Sequence, residues 1–128
     1  MYLKYENLGG GFNMIVAHKD DIKKIKFEGL QVKGATMKAL ISPKDGWDGY
    51  VMRLFELEVD GYSPRHTHPW PHINYIISGK GRLHLDGKDI DLKSGSFAYV
   101  PSDKLHQFSN TGDEVLEFIC IVPEERHK

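Results

Sequence analysis

The stretch Gly61–Gly81, GYSPRHTHPWPHINYIISGKG, decides how this chain is read. It carries His66, His68 and His72, and it holds Trp70 between Pro69 and Pro71. Side chains alternate between faces on an extended strand, so His66 and His68 project to one side about 6.5–7 Å apart. That separation lets two imidazoles converge on one ion, given metal–nitrogen bonds of about 2.0–2.1 Å. After the Pro-Trp-Pro turn the chain resumes as His72-Ile-Asn-Tyr-Ile-Ile, a strand rich in β-branched and aromatic residues. His72 therefore returns to the same interior. A fourth histidine, His106, stands far away in PSDKLHQFSN. Four histidines brought together by a β fold read as a metal site.

Outward from this stretch the pattern is one of short strands between turn residues. Upstream, Thr36–Ile41 alternates and ends at Ser-Pro-Lys-Asp-Gly, a strong breaker. Tyr50–Val59 is a longer strand, with Arg53, Phe55, Leu57 and Val59 on one side and Met52, Leu54, Glu56 and Glu58 on the other. Asp60-Gly61 is expected to end it. Downstream, Gly79-Lys80-Gly81 turns the chain into Arg82–Leu85, and Asp86-Gly87 is a two-residue hairpin signal leading to Lys88–Leu92. Further strands are expected over Ser96–Val100, Leu105–Ser109 and Val115–Val122. Strands this short at this spacing make an antiparallel sandwich or barrel, since no helical pattern supplies parallel crossovers. Residues 1–34 form an arm with flexible Gly9-Gly10-Gly11, a short strand over Phe12–Val16 and a helical turn within Asp20–Lys26. Residues 124–128 are a charged tail.

Composition narrows the function. With 128 residues, 40% hydrophobic and 27% charged, the chain makes one ordinary globular domain. A net charge of −1 gives no reason to expect nucleic acid or an anionic membrane as partner. The lysines of the first 44 residues are interleaved with Asp20, Asp21 and Glu28 and read as a solvated surface. Cys120 is the one cysteine, which excludes an intrachain disulfide and fits a reducing compartment. The opening MYLKYENLGG has no apolar signal region, and no run reaches membrane-spanning length. The expected location is the cytoplasm.

Two spaced motifs carry a resemblance. In the first, His66-Thr-His68 is followed, after three intervening residues, by position 72 and, after six more, by Gly79. In the second, Gly95, Pro101, His106 and Asn110 stand in register. The chain resembles the cupin superfamily, whose motifs read Gly, five residues, His-x-His, three or four residues, Glu, six residues, Gly, and then Gly, five residues, Pro-x-Gly, two residues, His, three residues, Asn. It departs from them at three places. Gly61 stands one residue too close, His72 fills the glutamate slot, and Asp103 replaces the middle glycine of the second motif. The resemblance implies an all-β double-stranded β-helix, a jelly-roll barrel, over residues 35–123. The arm 1–34 would then pack on the barrel or on a partner subunit. It also implies one divalent transition metal per chain on His66, His68, His72 and His106. Mn or Fe is favoured, and Zn, Ni, Cu or Co is also suited to imidazole.

Placing His72 in the carboxylate slot leaves the site with the full dipositive charge of its ion and no carboxylate base beside it. Metal affinity is expected to weaken as pH falls through the ordinary histidine value of about 6.5. The substrate-pocket candidates are Arg53, Phe55, Trp70, Asn74, Phe108 and Cys120. Arg53 either points inward to bind an anion or lies on the surface with its stem packed on apolar neighbours. Trp70 lines the barrel mouth or packs at an interface. Cys120 alternates with Phe118 and Val122 and faces the interior as a small buried hydrophobe or a reactive thiol. His84, on the face of Arg82 and Asp86, is expected outside the site. The function favoured by these readings is a metal-dependent enzyme acting on a small oxygen-rich molecule, foremost an O₂-using dioxygenase. The alternatives are a non-enzymatic binding or sensing protein and a metal-dependent isomerase or lyase. Tyr75 and Ile77 lie opposite His72, Asn74 and Ile76, so this strand is apolar on both faces and needs covering on both. The arm or a partner could supply the cover, and the resemblance favours a homodimer.

Overall fold

Strands supply nearly all the regular structure. The computed structural model describes residues 3–6 and 13–124. Its strands are β1 (Leu3–Glu6), β2 (Asn13–Val16), β3 (Ile25–Lys26), β4 (Lys33–Ile41), β5 (Tyr50–Tyr62) and β6 (His72–Ser78), followed by β7 (Lys80–Leu85), β8 (Lys88–Lys93), β9 (Phe97–Val100), β10 (His106–Asn110) and β11 (Leu116–Pro123). The glycine run 9–11, Phe12, His127 and the tail beyond Glu124 lie outside the described residues. No helix among the described residues is long and apolar enough to cross a membrane.

β1 and β2 pair with each other, and the other nine strands form one curled antiparallel sheet. Its order is β8-β7-β10-β5-β11-β6-β9, with β4 also on β5 and β3 on β4. This is the expected all-β jelly-roll barrel. The hairpin at Asp86-Gly87 has positive φ at both central residues, 50° and 83°, so its twist matches that of β7 and β8.

β5 organises the curl. It pairs with β4 and β11 along its first half and reaches β10 through Tyr62 opposite Ser109. Asp60-Gly61 does not end this strand, as breaker chemistry had suggested; it bends it. Asp60 takes a left-handed φ of 65°, and a Cβ on Gly61 would meet the carbonyls of Glu58 and Lys33 at 2.8 Å each. Asn110 ties the bend to the β10–β11 turn. Its Nδ2 donates to the carbonyls of Leu57, Glu58 and Glu114, and its Oδ1 accepts from the Gly112 amide.

Two further sequence expectations shift. β7 begins at Lys80, so Gly81 lies within a strand and Gly79 alone makes the turn, at φ 92°. The helical turn is a 3-10 turn over Lys19–Asp21 capped by His18, and the chain beyond it enters β3 rather than helix. Lys19 Nζ donates to Glu117 Oε2 at 2.8 Å, which lays this segment over the outer face of β11 and raises the Lys19 pKa.

The inward residues follow strand alternation. Leu57, Ile76, Leu83, Leu116, Phe108 and Phe118 form the main core, each worth about 1.5–3 kcal/mol of burial. Cys120, Val51 and Val122 make a second cluster against Phe55 and Trp70. Between the two lies a cavity.

Candidate metal centre

Backbone pairing places two of the histidines before any side chain is considered. The His66 amide donates to the His106 carbonyl and the His106 amide to the His66 carbonyl, both at 3.1 Å. Residues that exchange both bonds stand directly opposite each other on one face. His68 follows two residues on, its carbonyl accepting from the amide of Asp103 at 2.8 Å. Asp103 holds a φ of 65° where the motif has glycine, a conformation aspartate tolerates better than most residues. His72 is the first residue of β6, opposite Val100 of β9. On β6, His72, Asn74 and Ile76 are buried while Ile73, Tyr75 and Ile77 are exposed.

The ligand atoms of His66, His68 and His106 all lie within 4.8 Å of one another. His72 meets the group through His106, its Nε2 3.3 Å from His106 Nε2. Hydrogen bonds set which nitrogens are free. His68 Nδ1 donates to the Trp70 carbonyl at 3.0 Å and His106 Nδ1 to the Lys104 carbonyl at 2.8 Å. His72 Nδ1 donates to Asn74 Oδ1, and Asn74 is oriented by its own Nδ2 bond to the Ile119 carbonyl. Each acceptor is an oxygen without a proton to give, so each Nδ1 carries the hydrogen and each Nε2 a lone pair.

The electrostatics agree with neutral rings. Partial desolvation of the ring, reinforced by His106 and His68, pushes His66 down to about 4, although the residue as a whole stays exposed at the cavity mouth. Burial pushes His72 down to about 3 against the opposing bond from Asn74. His68 is lowered by burial too, with His106 and Arg53 adding to the effect. Neutral imidazoles with oriented Nδ1–H groups are the form in which histidine binds metal, and buried acceptors held by such outer partners fit an ion. Two Nε2 lone pairs 3.3 Å apart repel each other unless a cation lies between them. The donor set is all nitrogen, which suits divalent transition metals.

The histidines open into a cavity of about 230 Å³. Arg53, Phe55, Trp70, Asn74, Phe108 and Cys120 all stand on its wall. Trp70 stacks on the His68 ring, centroids 4.4 Å apart and planes 6° from parallel. A row of stacked rings runs Phe27, Phe55, Phe118, Phe108 along one side. Among the described residues, none on the wall is Asp or Glu.

A cupin-domain family model matches residues 53–122, covering both histidine motifs and β11. The chain is a cupin. Among solved structures, this cupin is similar to the polyketide cyclase RemF from Streptomyces resistomycificus, with 28% identity, a TM-score of 0.79, and 86% and 79% of the two chains covered. It is similar also to a predicted oxalate decarboxylase from Thermotoga maritima, with 26% identity, a TM-score of 0.78, and 84% and 97% covered. An oxalate-binding protein from Thermotoga maritima is 38% identical over 50 residues, 39% of this chain and 41% of that one. The cupin spans from 31% to 69% of the length of the curated relatives it matches.

Some residues of the site were not visible in the sequence. Phe27 comes from the stretch read as an arm and reaches the wall by stacking on Phe55. It is one aromatic residue between Lys26 and Glu28, with no periodicity to mark it. Ser63 and Pro64, between the bend and His66, also line the cavity. His84 is bonded to Asp89 at 2.8 Å on the β7–β8 hairpin, and His18 caps the 3-10 turn.

Proposed function

We propose that this cupin is a metal-dependent enzyme. One divalent transition metal is held by His66, His68, His72 and His106, and the substrate is a small, oxygen-rich molecule with O₂ as the favoured co-substrate. The observation that carries this reading is the facing pair of Nε2 lone pairs on His72 and His106, 3.3 Å apart. Two lone pairs this close would suit one shared ion at the usual metal–nitrogen bond length of about 2.0–2.1 Å. Four protein ligands leave room for a reactant only in five- or six-coordinate geometry, which favours Mn or Fe over tetrahedral Zn. When bound, such an ion supplies Lewis-acid and redox chemistry to an oxygen-rich substrate.

The chain's own residues support the rest. The stacked phenyl rings keep that side of the cavity dry, which strengthens every charge interaction inside. Among the described residues the wall offers no carboxylate base. The site therefore favours a substrate that arrives already ionised. A second reading, a binding protein without turnover, is favoured by the oxalate-binding protein of Thermotoga maritima among the relatives.

Metal analysis of protein purified without added salts, followed by oxygen-uptake assays on small carboxylates in air and under nitrogen, tests both. Stoichiometric metal with oxygen consumption supports the enzyme. Metal with saturable binding and no turnover supports the binding protein. Protein without affinity for any of these ions overturns both.

A further inference from the structure

Among the described residues, Arg53 is the one cation on the cavity wall apart from the histidines. Its strand neighbours across the sheet are Ala39 on β4 and Cys120 on β11, neither of which can neutralise it. Its guanidinium has one Nη 3.7 Å from Cys120 Sγ and its Cζ 5.0 Å from the centre of the Phe55 ring. Its Nε is buried and has no hydrogen-bond partner. Among the described residues no carboxylate lies within ion-pair distance of it. A buried N–H left this way is costly, because it has given up water without replacement. The arrangement makes sense if the missing partner is a ligand.

We propose that Arg53 is the anion anchor of this cavity, and that the ligand is a small carboxylate carrying a second oxygen donor. The planar fork of arginine matches a carboxylate through two parallel N–H···O bonds, and the surrounding phenyl rings strengthen that pairing. The second oxygen faces the histidines. Only this half rests on the metal-centre reading; the anchoring of the carboxylate does not. With one guanidinium and no second arginine or lysine on the wall among the described residues, the cavity neutralises a single carboxylate away from the histidines. Long acids, and acids with a carboxylate that reaches neither Arg53 nor the histidines, are excluded by the cavity's size and by its aromatic side.

Calorimetric titration of oxalate, glycolate and neutral oxamide tests this on wild type, Arg53→Gln and Arg53→Lys, each metal-loaded and chelator-treated. Oxalate and glycolate should bind wild type, and Arg53→Gln should weaken both at least tenfold in either state. Arg53→Lys should fall between, since it keeps the charge and loses the fork. Oxamide should bind wild type at least tenfold more weakly than oxalate. Without ligand, Arg53→Gln should melt no lower than wild type, because it removes a buried N–H that has no partner. Equal affinity in wild type and Arg53→Gln, equal binding of oxamide and oxalate, or no binding of either acid to wild type would each overturn the proposal. So would a lowered melting point in both variants with unchanged affinity, which would make Arg53 structural. If wild type takes up no metal, the metal reading fails alone, and the chelator-treated comparison still decides Arg53.

Discussion

His72 Nε2 stands 3.3 Å from His106 Nε2, although 34 residues separate the two in the chain. β6 and β10 are not neighbours in the sheet, so the contact crosses the inside of the barrel. Each ring donates its Nδ1–H to an oxygen, leaving two acceptors face to face. A ligand role for His72 relieves that repulsion. His72→Ala should lower affinity for Mn(II) at least tenfold, while His72→Glu should retain the metal because carboxylate oxygen reaches a similar distance. His84→Ala should leave affinity unchanged, since His84 is engaged with Asp89 on the β7–β8 hairpin. Metal titration of the three variants in one buffer checks this, and loss of metal in His84→Ala alone would contradict it.

Asn74 acts on the centre at one remove. It is 1% exposed and its Oδ1 holds the His72 Nδ1–H. Asn74→Leu should lower metal affinity by about 10–100-fold, the usual cost of removing such an orienting partner. Asn74→Asp should preserve the acceptor and the affinity. Paired competition titrations against a chromophoric chelator would show it.

The pH response follows from burial. His66 and His72 are held to about 4 and about 3, below the ordinary 6.5 that they recover on unfolding. Between those values the unfolded chain takes up protons that the folded, metal-free chain refuses. Stability should therefore be greatest above 6.5 and fall progressively as pH drops towards 3, levelling once both rings are charged in the folded state. Melting curves of chelator-treated protein across that range check the sign. Metal should also survive mild acid better than unperturbed histidines would allow, since burial moves the competing protonation below 6.5. An ordinary histidine midpoint in metal release would contradict the shifts.

The outer face of β6 and β9 is apolar and exposed. Ile73 pairs with Tyr99 and Tyr75 with Phe97, and these four are 51%, 61%, 50% and 79% exposed. β9 ends the sheet among the described residues, so the apolar row runs out to an unpaired edge. We propose that a second copy of this chain covers it. The row carries no charge to select a different partner, and apolar surface of this kind is self-complementary about a two-fold axis. Sedimentation at micromolar concentration should give a dimer, and Tyr75→Glu with Phe97→Glu should give a monomer that retains its metal. A monomeric wild type would refute it.

The turn at Asp86-Gly87, the two histidine motifs and the alternation of β6 and β11 could all be read from the chain alone. Each is a local property, set by backbone sterics or by the period of an extended strand. Alternation also put His72, Asn74, Phe118 and Cys120 on inward faces without any knowledge of their partners. Tertiary structure decided the rest. The bend at Asp60-Gly61 looked like a strand end because breaker chemistry is the same whether a strand stops or curls; contact with β4 and β10 makes it curl. Phe27 joined the wall because Phe55 offers a ring to stack on. Arg53 admitted two readings in the sequence, inward or outward, because the apolar neighbours on its face, Phe55, Leu57 and Val59, could line the barrel or pack on the stem of a surface arginine. Only the closing of the barrel put its guanidinium over Phe55 and beside Cys120, with no carboxylate of the described residues in reach.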